Sequence, residues 1–282
     1  MKSLITKRQL LFVILVLLCG INPIYADTSK ELYVSNGNLS DLLPERERVK
    51  ITDLTLSGEL NSSDLEVIRQ MGGCYKSDGS RYNGHLRYLD LSNAKFVGDG
   101  TLEIRYDNGY LFTISQLNYG SGNFLFSYMK SLHTIKLPNS MEKMGGELFL
   151  GCDNLTSVTL PKSLKSLPGE SFKNCKGLTS IYAFMEKPCI IEETTFDNET
   201  IINATLYVPK GSLLDYWDDN QWKKFMNIEE FDATSIGSLN TNANDVQEVS
   251  RYSDNGQRLN TPAKGLNIVK YNNGTVKKIM VK

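Results

Sequence analysis

The chain has 282 residues, with 31 Lys and Arg against 32 Asp and Glu, a net charge of −1 and a hydrophobic share of 40%. Balanced, interspersed charge gives no electrostatic argument for nucleic-acid binding, which wants a basic patch. The length suits one large domain, or one with a small module attached.

Lys2, Lys7 and Arg8 precede an apolar run from Leu10 to Leu18, and Ala26 offers a small residue for cleavage before Asp27. This order predicts a secretory signal peptide over residues 1–26. The apolar run is too short for a membrane span. Cys19 raises lipid attachment, but Leu18 stands before it where such sites take a small residue, so that reading is the lesser one. No later stretch is long and apolar enough to cross a bilayer. The expected location is secreted or cell-surface, with no membrane span after signal cleavage.

Next come "VKITDLTLSGELNSSDLEVIRQMGGC" (Val49–Cys74) and "HLRYLDLSNAKF" (His85–Phe96). Ile51, Leu54 and Leu56 form the inward set of one strand; Leu86, Leu89 and Leu91 form that of another. Between them, Ser62, Ser63 and Asp64 start a helix that carries Leu65, Ile68 and Met71 on one face. The segment Val97–Leu125 breaks the pattern. Its glycines and tyrosines predict a hairpin or loop inserted on the body of the fold, where Arg105, Tyr106, Tyr110 and Tyr119 cluster.

From Phe126 the chain repeats. Phe126, Phe149, Phe172 and Phe196 open four copies at spacings of 23, 23 and 24. Leu132, Leu155 and Leu178 share slot seven, Ile135, Val158 and Ile181 slot ten, and Leu137, Leu160 and Ala183 slot twelve. Repeats of this length with an L-x-x-L-x-L core mark a leucine-rich repeat solenoid. Each copy offers one short strand, "HTIKL" or "TSVTL", and buries its apolar side only by stacking on its neighbours. Leu155, Val158 and Leu160 should therefore share a core with Phe149 and Phe172.

Slot four holds Met129, Cys152 and Cys175. A thioether neither bridges nor ionises, so sulfur chemistry is not required there, and buried cysteines are the simplest reading. A disulfide is the alternative, because rungs about 5 Å apart lie within its reach in an oxidising compartment. Zinc is disfavoured, since neither His85 nor His133 falls at ligand spacing to a cysteine pair. Cys189 matches polar positions of the other copies, which predicts it to be more exposed than Cys152 and Cys175.

"ATLYVPKGSLLDYWDDNQWKKFMNIEEFD" (Ala204–Asp232) opens with a strand and a turn at Pro209–Gly211. An amphipathic helix with Leu214, Trp217 and Trp222 should then cap the last apolar face. Residues 233–248 are small and polar, as in a linker. Residues 249–282 hold three strand-like runs, with Asn255–Gly256 and Asn273–Gly274 as hairpin turns.

The openings "LTLSGELNSSDLEVIRQM" and "LRYLDLSNA", the F-x-x-C-x-x-L-T-S-V-T-L-P repeats and "ATLYVPKGS" with its following Trp pair resemble the BspA-like leucine-rich repeat surface proteins of Bacteroides-type bacteria. The likeness covers Glu31–Asp232. The tail is similar to a short β module found last in exported proteins of that group, where it helps sort or anchor the chain. The resemblance implies a mixed α/β, right-handed solenoid with parallel strands over residues 27–232, with an N-terminal helical repeat and a C-terminal cap, plus a small C-terminal β module. It also implies surface display and adhesion, through binding of host or neighbouring-cell surface proteins or glycans. No cofactor or metal follows from it.

Catalysis finds little support. His133 stands on a strand near Ser157 and Ser180, but no carboxylate orients it and no G-x-S-x-G elbow exists. Asp218–Asp219 and Glu192–Glu193 are chain neighbours that rarely face one another, and Gly98–Gly100 lacks the lysine of a phosphate loop. The expected function is non-catalytic binding on the inner, concave strand face. Its residues are Asp53 and Thr55, Tyr88 and Asp90, Thr134 and Lys136, Ser157 and Thr159, Ser180 and Tyr182, and Thr205 and Tyr207. There Tyr88, Tyr182 and Tyr207 are the only large side chains, and Arg105, Tyr106, Tyr110 and Tyr119 form the second candidate site. A structural module of a larger cell-surface assembly is the alternative, and a hydrolase ranks third.

Overall fold

The computed structural model describes residues 28–98, 102–105, 109, 111–114, 123–232, 248–253, 258–259, 261–271 and 276–281. The expected signal segment, Tyr106, Tyr110, Tyr119, residues 233–247 of the expected linker 233–248 and the two expected Asn-Gly turns lie outside them.

Period-two alternation produces strands β1 (Thr28–Ser35), β2 (Ile51–Leu60) and β3 (Tyr88–Phe96). A hairpin of β4 (Leu102–Arg105) and β5 (Leu111–Ile114) follows. Next come β6 (Thr134–Lys136), β7 (Ser157–Leu160), β8 (Ser166–Leu167), β9 (Ser180–Ala183), β10 (Ile190–Ile191), β11 (Thr205–Pro209) and β12 (Asn227–Phe231). One eight-stranded sheet takes the order β1-β2-β3-β6-β7-β9-β11-β12, every pair parallel. Sheet order therefore follows chain order, the topology of a solenoid open at both edges.

Slot ten sets the ladder. Lys30, Leu54, Leu89, Ile135, Val158, Ile181, Leu206 and Ile228 are consecutive register partners. All from Leu54 to Leu206 are fully buried. Leu155, Val158 and Leu160 are likewise at 0% exposure with Phe149 and Phe172. The phenylalanines form a spine: Phe96, Phe126, Phe149, Phe172 and Phe196 meet at centroid distances of 6.3, 5.5, 5.1 and 4.8 Å. Truncating such a ring to Ala costs about 3–5 kcal/mol.

The first three repeats also bend through left-handed backbone at two positions each. Phe124, Glu147 and Glu170 occupy one at φ 63°, 55° and 59°; Tyr128, Gly151 and Asn174 occupy the other at 59°, 69° and 60°. Only one of the six is glycine, the residue that adopts this region without strain. Stacking holds the rest: Phe126 N donates to Leu148 O (2.9 Å), and Phe149 N to Ser171 O (2.8 Å) in the next copy.

The helix after β2 is α3 in chain order, following short turns α1 (Leu39–Leu42) and α2 (Glu45–Arg48), and spans Ser62–Met71. Its cap is Asn61, one residue before the expected start. The Asn61 side chain accepts from Ser63 N and Asp64 N, and Asp64 accepts from Asn61 N (2.9 Å), a capping box. Leu65, Ile68 and Met71 are buried as expected.

Several expectations need correction. The hairpin is present, yet Leu102 (2%) and Ile104 (0%) belong to the shared core, as do Phe124 and Leu125. This segment is thus a structural part of the solenoid at those positions. Arg69, buried at the end of α3, donates to the carbonyls of Phe124, Leu125 and Ser127 (3.2, 2.9 and 3.3 Å) and ties it down.

At the cap, the helix α5 (Leu213–Asp218), which follows α4 (Asn198–Asn203), turns Leu214 (71% exposed) and Trp217 (46%) outward. In place of those two, Tyr216 seals the core together with Trp222, which does so as expected, both at 0%. Their polar atoms decide this orientation, because buried donors need acceptors. The Tyr216 hydroxyl donates to Met185 O (3.0 Å) and Trp222 Nε1 to Cys189 O (2.7 Å).

Cys189 is buried as well, at 5% against 0% for Cys152 and Cys175, because the Trp222 cap covers it. All four described cysteines are free thiols. Cys152 Sγ donates to Phe126 O (3.0 Å) and Cys175 Sγ to Phe149 O (3.1 Å), each reaching back to the preceding copy. Met129 at the same slot meets α3 rather than a repeat, and a Cβ on Gly72 would stand 2.2 Å from its Cε.

The C-terminal strands are β13 (Glu248–Ser253), β14 (Arg258–Leu259), β15 (Gly265–Tyr271) and β16 (Val276–Val281). They form an antiparallel sheet ordered β14-β13-β15-β16, four strands where three runs were read.

Candidate binding face

Strand alternation sends every other side chain to the face opposite the core. Parallel register then aligns these positions into two rows. The first reads Ser29, Asp53, Tyr88, Thr134, Ser157, Ser180, Thr205 and Asn227. The second reads Glu31, Thr55, Asp90, Lys136, Thr159, Tyr182, Tyr207 and Glu229. All twelve expected positions of this face fall in these rows.

The face has two chemically different ends. Toward β3, Asp90 is 8% exposed and is held by its own neighbours. Lys136 Nζ lies 2.9 Å from Asp90 Oδ2, the Tyr88 hydroxyl donates to the same oxygen (3.1 Å), and Ser92 N and Oγ donate to Oδ1 (3.0 and 2.5 Å). Burial pushes the Asp90 carboxyl up, but the hydrogen bonds from Lys136 and Ser92 outweigh it and hold the group below its ordinary range. This knot is internally satisfied.

Toward β12 the face becomes aromatic. Tyr182 and Tyr207 stack at 4.6 Å, and Phe231 meets Tyr182 edge-on at 6.0 Å and Phe184 at 5.1 Å. Burial pushes the Tyr207 phenol up to about 12, with Tyr182 and Glu229 adding to it. Burial and Glu229 raise Tyr182 in the same direction. Both hydroxyls therefore stay protonated donors near neutrality. Phe184, Phe231 and the exposed Tyr33 (71%) are large side chains that the pattern of the repeats missed. Phe184 and Phe231 lie beyond slot twelve, where strand alternation had been followed no further.

The ladder does not set His133 opposite Ser157. Thr134, not His133, is the register partner of Ser157. The His133 Nδ1 donates to Ser131 O (2.7 Å), and its carbonyl receives Thr156 N, Ser157 N and the Thr156 hydroxyl. A cleft of about 300 Å³ gathers His85, Arg87 and His133, and no carboxylate lines it. Among the described residues, no group of three His, Cys, Asp or Glu could hold a metal ion. Of the second candidate site, only Arg105 is described; its Nη1 donates to Gly109 O (2.9 Å).

Residues 112–217 match the BspA type leucine rich repeat region, in six copies. Residues 112–217 of this chain form a BspA-type leucine-rich repeat region. The BspA-type match begins upstream of Phe126, inside the hairpin, and ends within α5. That start agrees with the burial of Phe124 and Leu125 in the solenoid core. No curated protein matches the chain. A BspA-type repeat region points to protein interaction or adhesion, and such repeats are generally non-enzymatic. BspA-type proteins are often surface-associated, and no described helix is long and apolar enough to cross a membrane.

Proposed function

We propose that this protein is exported and acts at the cell surface as a non-catalytic adhesion protein, holding a host or neighbouring-cell protein on the concave face of its strand ladder. The supporting observation is the pair of outward rows in parallel register, which carry the stacked Tyr182 and Tyr207 near one end. Eight strands at about 4.8 Å spacing extend roughly 34 Å, a length suited to a standard interface of about 800 Å² per partner. Tyrosine brings large contact area with little rotamer freedom to lose, and recurs at interface hot spots. Hydroxyl side chains at Thr134, Ser157, Thr159 and Ser180 supply adaptable hydrogen bonds beside it. The Tyr88–Asp90–Lys136 knot marks the charged end of the same face.

In this reading residues 1–26 direct export, 27–232 form the binding solenoid, and 233–248 join it to a β module, 249–282, that sorts or anchors the chain. A pull-down of host matrix proteins, compared between the native chain and Tyr182→Ala, tests the binding claim. Capture of a partner that Tyr182→Ala loses supports it. Equal capture by both, or none, moves the balance to a structural module of a larger surface assembly.

A further inference from the structure

A cleft of about 440 Å³ opens beside α3, and none of its lining residues belongs to the outward rows of the sheet. Ser62 and Glu66 reach it from α3, Lys76 and Tyr82 from the loop that follows, and Glu103 and Arg105 from β4. Three segments far apart in sequence meet there.

The loop is held rigidly. Tyr75 and Arg81 form an antiparallel bridge, and Asp78 Oδ1 accepts from Ser80 N (2.8 Å) across its tip. The Arg81 guanidinium lies 3.8 Å from the Tyr75 ring centroid, and its Nη1 donates to Gly73 O and Tyr128 O, both at 3.2 Å. Tyr82 N returns to Cys74 O (3.0 Å). Such a wall loses little freedom when a ligand binds.

The lining chemistry narrows the ligand. Two carboxylates, Glu66 and Glu103, face two cations, Lys76 and Arg105, so no single sign of charge is favoured. Leu102 is the one aliphatic residue in the lining, and the rings of Tyr75 and Tyr82 supply most of its remaining apolar surface. What remains is a mixture of acceptors, donors and phenol, suited to a ligand whose every polar group both donates and accepts. The Lys76 ammonium sits 5.3 Å over the Tyr82 ring, and Gln70 Nε2 holds one Glu66 oxygen at 3.0 Å. Among the described residues, Arg105 Nε is a buried atom with no hydrogen-bond partner, a costly state. The volume lies within the range of small-ligand sites, about 300–1,000 Å³. We infer that this cleft binds a neutral saccharide unit, independently of the strand face.

The test presents the full exported chain to an array of neutral oligosaccharides beside carboxylated and sulfated ones, with affinities measured by calorimetry. Binding of at least one neutral glycan is expected, weakened at least tenfold by Arg105→Ala and by Glu66→Gln and unchanged by Tyr182→Ala. Melting curves establish that each variant is folded, and the isosteric Glu66→Gln keeps the test open if Arg105→Ala is not. The inference is overturned by no binding of neutral glycans, by a preference for acidic ones, by affinity that survives both substitutions, or by dependence on Tyr182.

Discussion

Tyr182 and Tyr207 are register partners on neighbouring parallel strands, and their rings stack with centroids 4.6 Å apart. On the other side of Tyr182 the register partner is Thr159, a short side chain, so the stack ends in a step. A rigid aromatic step of this kind is a natural anchor point. Tyr182→Ala should weaken a captured protein partner by about 1–2 kcal/mol, roughly five- to thirtyfold, with most of the change in dissociation rate. Surface plasmon resonance on the pulled-down partner measures it. Arg105→Ala, remote from both rows, should leave that affinity within twofold, and the reverse pattern would move the protein site to the hairpin.

Asp90 supplies a pH-dependent prediction. Its carboxyl is held below its ordinary value by Lys136 and Ser92 despite burial. A depressed carboxyl contributes stability that is present above its unfolded pKa, about 3.9, and is lost as pH falls through the folded value. Asp90→Asn should therefore cost about 1–3 kcal/mol at pH 7. The gap from the native chain should close on acidification below about pH 4. Urea curves at a series of pH values check this, and a gap independent of pH would contradict it.

The thiols give the opposite sign. Burial pushes Cys152 and Cys189 up to about 12, and Cys175 well above its ordinary value. All three should resist a thiol reagent at pH 8 in the native state and react together on unfolding. An acid with a raised folded pKa contributes stability that is present below its unfolded pKa, about 8.5, and lost as pH climbs toward the folded value. Stability should thus decline above about pH 9, and less steeply in Cys189→Ala. Mass spectrometry showing a Cys152–Cys175 bond would refute the free-thiol ladder.

Lys30 guards the open edge. It occupies the inward slot of β1, in line with Leu54 and the apolar ladder beyond, and its ammonium lies 3.5 Å from Glu47. An inward charge on an edge strand is a known device against edge-to-edge pairing. Lys30→Ile should extend the apolar ladder to the edge and raise self-association. Sedimentation velocity at matched concentrations should show a shift toward larger species than the native chain forms. An unchanged distribution would mean that another feature protects the edge.

Most of the solenoid was legible because its signal is periodic. Phe at slot one, Leu at seven and Ile or Val at ten recur every 23 residues, and each repetition tests the same register again. The expected outward rows followed from that register alone. Legibility stopped where periodicity stopped. The burial of Leu102 and Ile104, the outward turn of Trp217 and the covering of Cys189 by Trp222 depend on contacts made once. The left-handed turns are a subtler case. They recur every 23 residues, yet Phe124, Glu147, Glu170, Tyr128 and Asn174 carry no turn composition in common. Inter-repeat hydrogen bonds impose that backbone regardless of side chain.

By itself the sequence determined the repeat, its parallel strands, the buried slots and the alternation that turns Thr159, Tyr182 and Tyr207 away from the core. These are local consequences of side-chain spacing, reinforced by identical neighbours above and below. Only the tertiary structure decided that Asp90 is satisfied within the face, that Phe184 and Phe231 complete an aromatic end, and that Glu66, Lys76 and Arg105 line one cleft. Those arrangements join residues from different rungs and loops, and their distances depend on how the chain returns on itself. A linear pattern carries no record of that return.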